Sequence, residues 1–109
     1  MSDTVVRFEA ERVIRATEAN IKLALRAGAT IVKGDAVMRC PVDTGQLRNS
    51  IHEAIYDDYA IVDSNVEYAP HVEYGTSRQR AQPFLRPALD ENMDDIKRVM
   101  GDILKGAFR

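Results

Sequence analysis

"SIHEAIYDDYAIVDSNVEY" spans residues 50–68, and its reading decides the fold. The stretch is rich in Ile, Val and Tyr, residue types that fit a pleated, half-buried surface. At its centre YDDY (56–59) is a turn signal. Strands are therefore expected near 50–56 and 59–67, paired as an antiparallel hairpin.

Upstream of the hairpin lies "CPVDTGQLRNSI", residues 40–51. Pro41 stops any preceding helix, because the residue before a proline is pushed out of the helical region. With Asp43 as N-cap, Gln46 falls at N3, an Asp version of the capping box. Val42 and Leu47 then take the spacing of a hydrophobic staple. One helical turn is expected over about 44–50, with Gly45 permitting close chain approach. Further upstream, residues 5–38 read as one long helix. Val6, Ala10, Val13, Ile14, Ile21, Ala24, Leu25, Ile31 and Val32 recur at three- and four-residue steps. Asp3 or Thr4 would cap its start. Such a helix would span about 50 Å, too long for a domain of this size to cover by itself. Gly28 and Gly34 would mark a bend, a close contact or an earlier stop.

Downstream, "YAPHVEYGT" (68–76) predicts a second short helical turn, with Pro70 in its first turn and Gly75 at C′. "SRQRAQP" (77–83) has no apolar periodicity and reads as a loop. A second long helix is expected from about 84 to 106, striped by Leu85, Leu89, Met93, Ile96, Met100, Ile103 and Leu104. Pro87 belongs in its first turn. The order helix, hairpin, helix predicts an α+β fold over a single domain, 1–109.

Composition narrows the function classes. The chain has 109 residues, 45% of them apolar and 29% charged, which fits a soluble globular domain. No run reaches the roughly 18 apolar residues of a membrane span. The acid-bearing start predicts no secretory signal. Cys40 is the one cysteine, so it forms no internal disulfide. Residues 39–83 carry four basic and seven acidic groups within a net charge of −2, unlike a general nucleic-acid binder.

Reactive constellations are thin. His71-Val72-Glu73 matches half of a zinc deaminase signature, but no P-C-x-x-C follows. Cys40 with His52 or His71 would be a nucleophile–base pair only by chance proximity, and an inert buried thiol is the plainer reading. Asp57-Asp58 reads as a turn and Asp94-Asp95 as a solvated helix face. Gly75-Thr76 lacks the rest of a phosphate loop. No cofactor or metal is expected. The stretch 40–51 reads as a joint between helix and sheet.

Three motifs, "CPVDTGQLRNSI", "YAPHVEYGT" and "QPFLRPAL" (82–89), occur in order within about 50 residues. Their pattern resembles that of small proteins of tailed bacteriophages described as neck, head–tail joining, tail-completion or minor tail proteins. On that resemblance the signature residues are Pro41, Val42, Asp43, Thr44, Gly45, Leu47, Arg48 and Ser50, with Ile51 also fitting. Tyr68, Ala69, Val72, Glu73, Tyr74, Gly75 and Thr76 follow, and then Pro83, Phe84, Leu85, Arg86, Pro87 and Ala88. The resemblance implies a structural, non-enzymatic virion protein, assembled in the host bacterial cytoplasm. It would form a ring around the DNA channel between head and tail, hexameric by preference and dodecameric as the alternative. Head-completion and tail-terminator or tail-tube proteins would be its neighbours, with DNA close by and no membrane. A DNA-binding accessory protein and a small metal-dependent enzyme are the alternative classes.

Arg78, Arg80 and Arg86 are the only charges between Glu73 and Asp90. They form a candidate interface, in a loop expected to be mobile until assembly. The acids Glu53, Asp57, Asp58, Asp63, Glu67 and Glu73 of a neighbouring copy would supply the complementary charge; the competing readings are a loop that faces the channel and meets DNA phosphate, and a solvated loop. The free subunit is expected to be monomeric or weakly associated, with ring formation depending on a head or tail partner.

Overall fold

A computed structural model of the chain describes residues 4–10, 17–41 and 45–106. Strand β1 (Thr4–Glu9) is followed by helix α1 (Glu18–Arg39), the short helix α2 (Gln46–Ser50), and strands β2 (His52–Ile55) and β3 (Tyr59–Ser64). The short helices α3 (Ala69–Tyr74) and α4 (Arg86–Asp90) lead into α5 (Met93–Gly106). This is an α+β fold with a long helix towards each end of the chain.

The three strands form one antiparallel sheet in the order β1-β3-β2. The hairpin turns at Asp57-Asp58, as the sequence predicts, and Tyr56 N–H donates to Tyr59 O at 2.8 Å. The strand at 4–9 corrects the expected start of the long helix. Val6 and Phe8 are buried while Val5, Arg7 and Glu9 face solvent, which is the two-residue period of a strand. The helical spacing of Val6 and Ala10 is coincidental, and pairing of Val6 with Val62 and Phe8 with Ala60 decides the matter. Val13 and Ile14 lie outside the described residues.

Helix α1 starts at Glu18, with the Thr17 hydroxyl accepting from Asn20 N–H at 3.1 Å, so Thr17 is its N-cap rather than Asp3 or Thr4. It ends before Pro41, with Cys40 already extended at φ −67° and ψ 133°. Its buried residues Ala24, Leu25, Gly28, Ala29, Val32 and Ala36 are mostly small, which lets the axis approach its neighbours closely. α1 packs against α5 and against β2 and β3. At Gly28 an added Cβ would lie 2.8 Å from Phe8 Cε2 and 3.2 Å from Ile96 Cγ2, so three elements meet there without room for a side chain. Leu25 and Val32 are fully buried, and each contributes roughly 1.5–3 kcal/mol through area removed from water.

The expected helix over 84–106 is two helices. Its apolar stripe runs on through Leu89, Met93, Ile96 and Met100, but the backbone breaks at Glu91 and Asn92. The Asn92 amide nitrogen donates to Ala88 O at 2.8 Å and to Asp35 Oδ2 at 2.7 Å. Arg39 binds Asp35 and Glu91, each at 2.9 Å, so the break is tied to the end of α1.

Candidate functional site

The signature stretches gather at one end of the sheet, opposite the Asp57-Asp58 turn. β2 begins there, β3 ends there, and α1 ends beside them. Gly45 precedes α2 with φ +74°, in the left-handed region, so the joint requires its backbone freedom rather than close approach. Helix α2 starts at Gln46, slightly later than predicted. Asp43 as a cap, Val42 as a staple and Thr44 lie outside the described residues. Leu47 is buried as expected. Arg48 Nη2 reaches Cys40 O at 3.5 Å, and its Nε is buried with no acceptor among the described residues. Ser50 Oγ donates to Leu47 O at 2.6 Å, so in the 2.5 Å contact with Ser64 Oγ it is Ser64 that donates. Ser64 Oγ in turn accepts Val66 N–H at 3.3 Å. These bonds tie α2 to the end of β3.

The second signature forms α3, with Pro70 in its first turn and Gly75 at its end with φ +78°. Tyr68 OH lies 3.3 Å from Gln46 Oε1, joining the first two signatures. Between them opens a cleft of about 330 Å³, walled by Pro41, Gln46 and Leu47 on one side and by Tyr68, His71 and Val72 on the other. Gln79 of the arginine loop completes the wall. Tyr74 projects into solvent.

Glu73 joins the second signature to the third. It is 4% exposed. Its Oε1 accepts Phe84 N–H and Leu85 N–H, each at 2.9 Å, and its Oε2 accepts Arg86 N–H at 3.0 Å. These are the unpaired donors at the start of α4, where a carboxylate is favoured by hydrogen bonding and by the helix dipole. Glu73 is therefore corrected from a surface acid to an internal strut. Ala69, four residues earlier on the same helix and fully buried, marks the inward face that a sequence reading could have used. Phe84, Leu85 and Ala88 are buried under this strut, with Pro87 half-buried and Pro83 exposed.

The arginine loop is held at both stems. Thr76 N–H donates to Gln79 O at 2.9 Å, Gln82 N–H donates to Val72 O at 2.7 Å, and Arg78 N–H donates to Thr76 Oγ1 at 3.1 Å. A Cβ at Gly75 would lie 2.7 Å from Ala81 N, so the loop folds back on its own stem. These contacts hold the stems of the loop on either side of Arg78 and Arg80. Arg78 and Arg80 are exposed, and neither side chain has an ion-pair partner among the described residues. Arg86 differs: its backbone is held by Glu73 and its guanidinium lies 3.6 Å from Asp90.

The residues weighed as reactive are engaged otherwise. Cys40 is buried, and that burial pushes its thiol up, away from the thiolate, against a smaller opposing effect of Arg48. His52 Nδ1 lies 2.9 Å from Ser50 O and its Nε2 lies 2.6 Å from Asp63 Oδ1. His71 lines the cleft. Among the described residues no cluster of His, Cys, Asp and Glu is arranged to hold a metal ion. No helix among them is long and apolar enough to cross a membrane.

Residues 6–75 match the family model described as "Bacteriophage HK97-gp10, putative tail-component", more than half of the chain. The matched span holds the first signature and the second as far as Gly75, and ends before the third. No curated protein and no solved structure matches the chain.

Proposed function

The chain belongs to the HK97-gp10-like family of bacteriophage tail components, and on that premise we propose that it is a non-enzymatic virion subunit joining head to tail. Copies form a neck or tail-completion ring around the DNA channel, hexameric by preference, between head-completion and tail-terminator or tail-tube proteins. The protein is built in the host cytoplasm and carried in the virion.

One observation supports this reading above the rest. The signature residues are spent on joints and on a shared surface: the Ser50–Ser64 and Tyr68–Gln46 bonds, the cleft between them, and the Glu73 strut. Among the described residues they form no cluster arranged to hold a metal ion. A surface assembled from three separated stretches is what a docking subunit needs, because its partners read shape from a prearranged scaffold.

The test is a null allele in a phage or prophage that encodes the chain. Electron microscopy is expected to show filled heads and tails that fail to join or finish, with wild-type protein restoring complete particles. Complete, infectious particles without the protein would overturn the proposal, as would its absence from purified virions by mass spectrometry.

A further inference from the structure

The acids expected to face the arginine loop of a neighbouring copy are mostly used at home. Glu53 is held by Lys33 at 3.1 Å, Asp63 by His52 at 2.6 Å, and Glu73 lies inside. Glu67 is exposed just past β3, at the end of the sheet away from the hairpin turn, which leaves Asp57 and Asp58 at the tip of the β2–β3 hairpin, where the Asp57 side chain is 84% exposed with Lys22 Nζ at 3.5 Å. Glu9 pairs in register with Tyr59 and so lies at the same end, and Glu18 sits one turn before Lys22 on α1.

Arg78 and Arg80 lie at the opposite end. Gln79 between them shares the cleft with Pro41, just past the end of α1, whereas Lys22 near its start touches Asp57. At 1.5 Å per residue, positions 22 and 41 are about 28 Å apart along the helix axis. That is several times the roughly 8 Å screening length in physiological salt. Within one subunit the two arginines and the two aspartates do not meet.

We propose that the Arg78/Arg80 loop of one copy docks on the Asp57-Asp58 turn of the next. The contact is heterologous: two different patches on the same chain, at opposite ends, complement each other, so successive copies add head to tail. Arginine suits the role because its planar fork binds a carboxylate with two parallel hydrogen bonds. The loop meets its partner already shaped, since the Gly75 stem, the Thr76–Gln79 bond and the Gln82–Val72 bond hold its base. Less ordering on docking leaves more of the interaction as affinity. This contact rests on the ring reading above and names the surfaces that a ring would use.

Disulfide trapping tests it even where association is weak. Gln79→Cys and Asp58→Cys are made as separate variants. Cys40 is buried and left in place, and the parent chain oxidised alone is the blank. On mixing at low salt, the 79–58 heterodimer is expected to exceed either homodimer by about tenfold, with the excess falling in about 0.5 M salt. A charge exchange supplies the second arm. Arg78→Glu with Arg80→Glu on the Gln79→Cys variant, or Asp57→Arg on the Asp58→Cys variant, should each lose trapping against the unexchanged partner and regain it when the two exchanged variants are mixed. Equal homodimer and heterodimer yields, or charge exchange without rescue, would overturn the contact. Closed rings in electron micrographs without 79–58 trapping would overturn it and leave the ring reading standing. A chain carrying both Gln79→Cys and Asp58→Cys that traps as open ladders and never as closed rings would do the reverse. Normal incorporation of Arg78→Ala with Arg80→Ala into particles, with altered DNA ejection, would assign the arginines to DNA and overturn the proposal.

Discussion

Replacing Glu73 with alanine removes one acceptor group from three backbone donors at once. Phe84 and Leu85 are fully buried or nearly so, and water does not replace the carboxylate at their N–H groups. Leaving a buried donor unsatisfied costs about 1–3 kcal/mol. Arg86 is exposed, and its N–H finds water at little cost. Two orphaned donors and the lost packing of the side-chain methylenes together predict a loss of about 3–6 kcal/mol. That is comparable with the whole stability of a small domain, typically 5–15 kcal/mol. Glu73→Gln provides the graded control. Its single carbonyl oxygen still serves Phe84 and Leu85, while its amide nitrogen meets Arg86 N–H donor to donor and the negative charge at the start of α4 is gone. A cost of about 1–3 kcal/mol is expected. Urea denaturation gives both numbers. Hydrogen exchange read at the amides of 84–86 reports the clamp directly, with protection lost in the alanine variant and reduced in the glutamine variant. A Glu73→Ala protein within about 0.5 kcal/mol of the parent, or one whose 84–86 amides stay protected, would refute the strut.

Two further predictions concern packing and pH. Gly28→Ala pushes a methyl to 2.8 Å from the Phe8 ring and should cost about 1–2 kcal/mol net of improved helix propensity, whereas Gly34→Ala meets nothing within 4 Å and should gain up to about 1 kcal/mol, both by thermal melts. The hydrogen bond from Lys33 holds the Glu53 carboxyl below its ordinary value, against an opposing push from burial. The depressed folded-state value means that this pair stabilises fully above the ordinary glutamate pKa of about 4.3, and the contribution disappears as pH falls through the lower folded value. Lys33→Ala should therefore lose about 0.5–1 kcal/mol at neutral pH and show a shallower stability loss below pH 4 in acid titrations followed by circular dichroism.

Features written by local chemistry were legible. Pro41 ends α1, Asp57-Asp58 turns the hairpin, and Gly75 ends α3, because each depends on its own backbone preferences. β1 was not legible, since Val6 and Ala10 also satisfy helical spacing and the partner that settles the choice, Val62, is distant in sequence. The break at Glu91-Asn92 was hidden because the apolar stripe continues across it while a side-chain amide interrupts the ladder. Residues of the first two signatures line the cleft, whereas Phe84, Leu85 and Ala88 of the third are buried. The work of Glu73 was invisible for another reason: its partners are backbone N–H groups, and those have no letter.

The position of β1 also has a consequence for how the chain is made. β1 leaves the ribosome before α1 and β3, and β3 must follow before Val6 and Phe8 can join a sheet. Ile96, which meets the same point on α1, arrives later still. Until they arrive the nascent chain holds an apolar strand and the apolar side of α1 in water, a state open to mispairing with other chains. The length of that vulnerable interval is set by how far β3 and α5 stand behind β1 in the message, so slowing synthesis between the codons of β1 and β3 would prolong exposure, while slowing it ahead of the β1 codons would not.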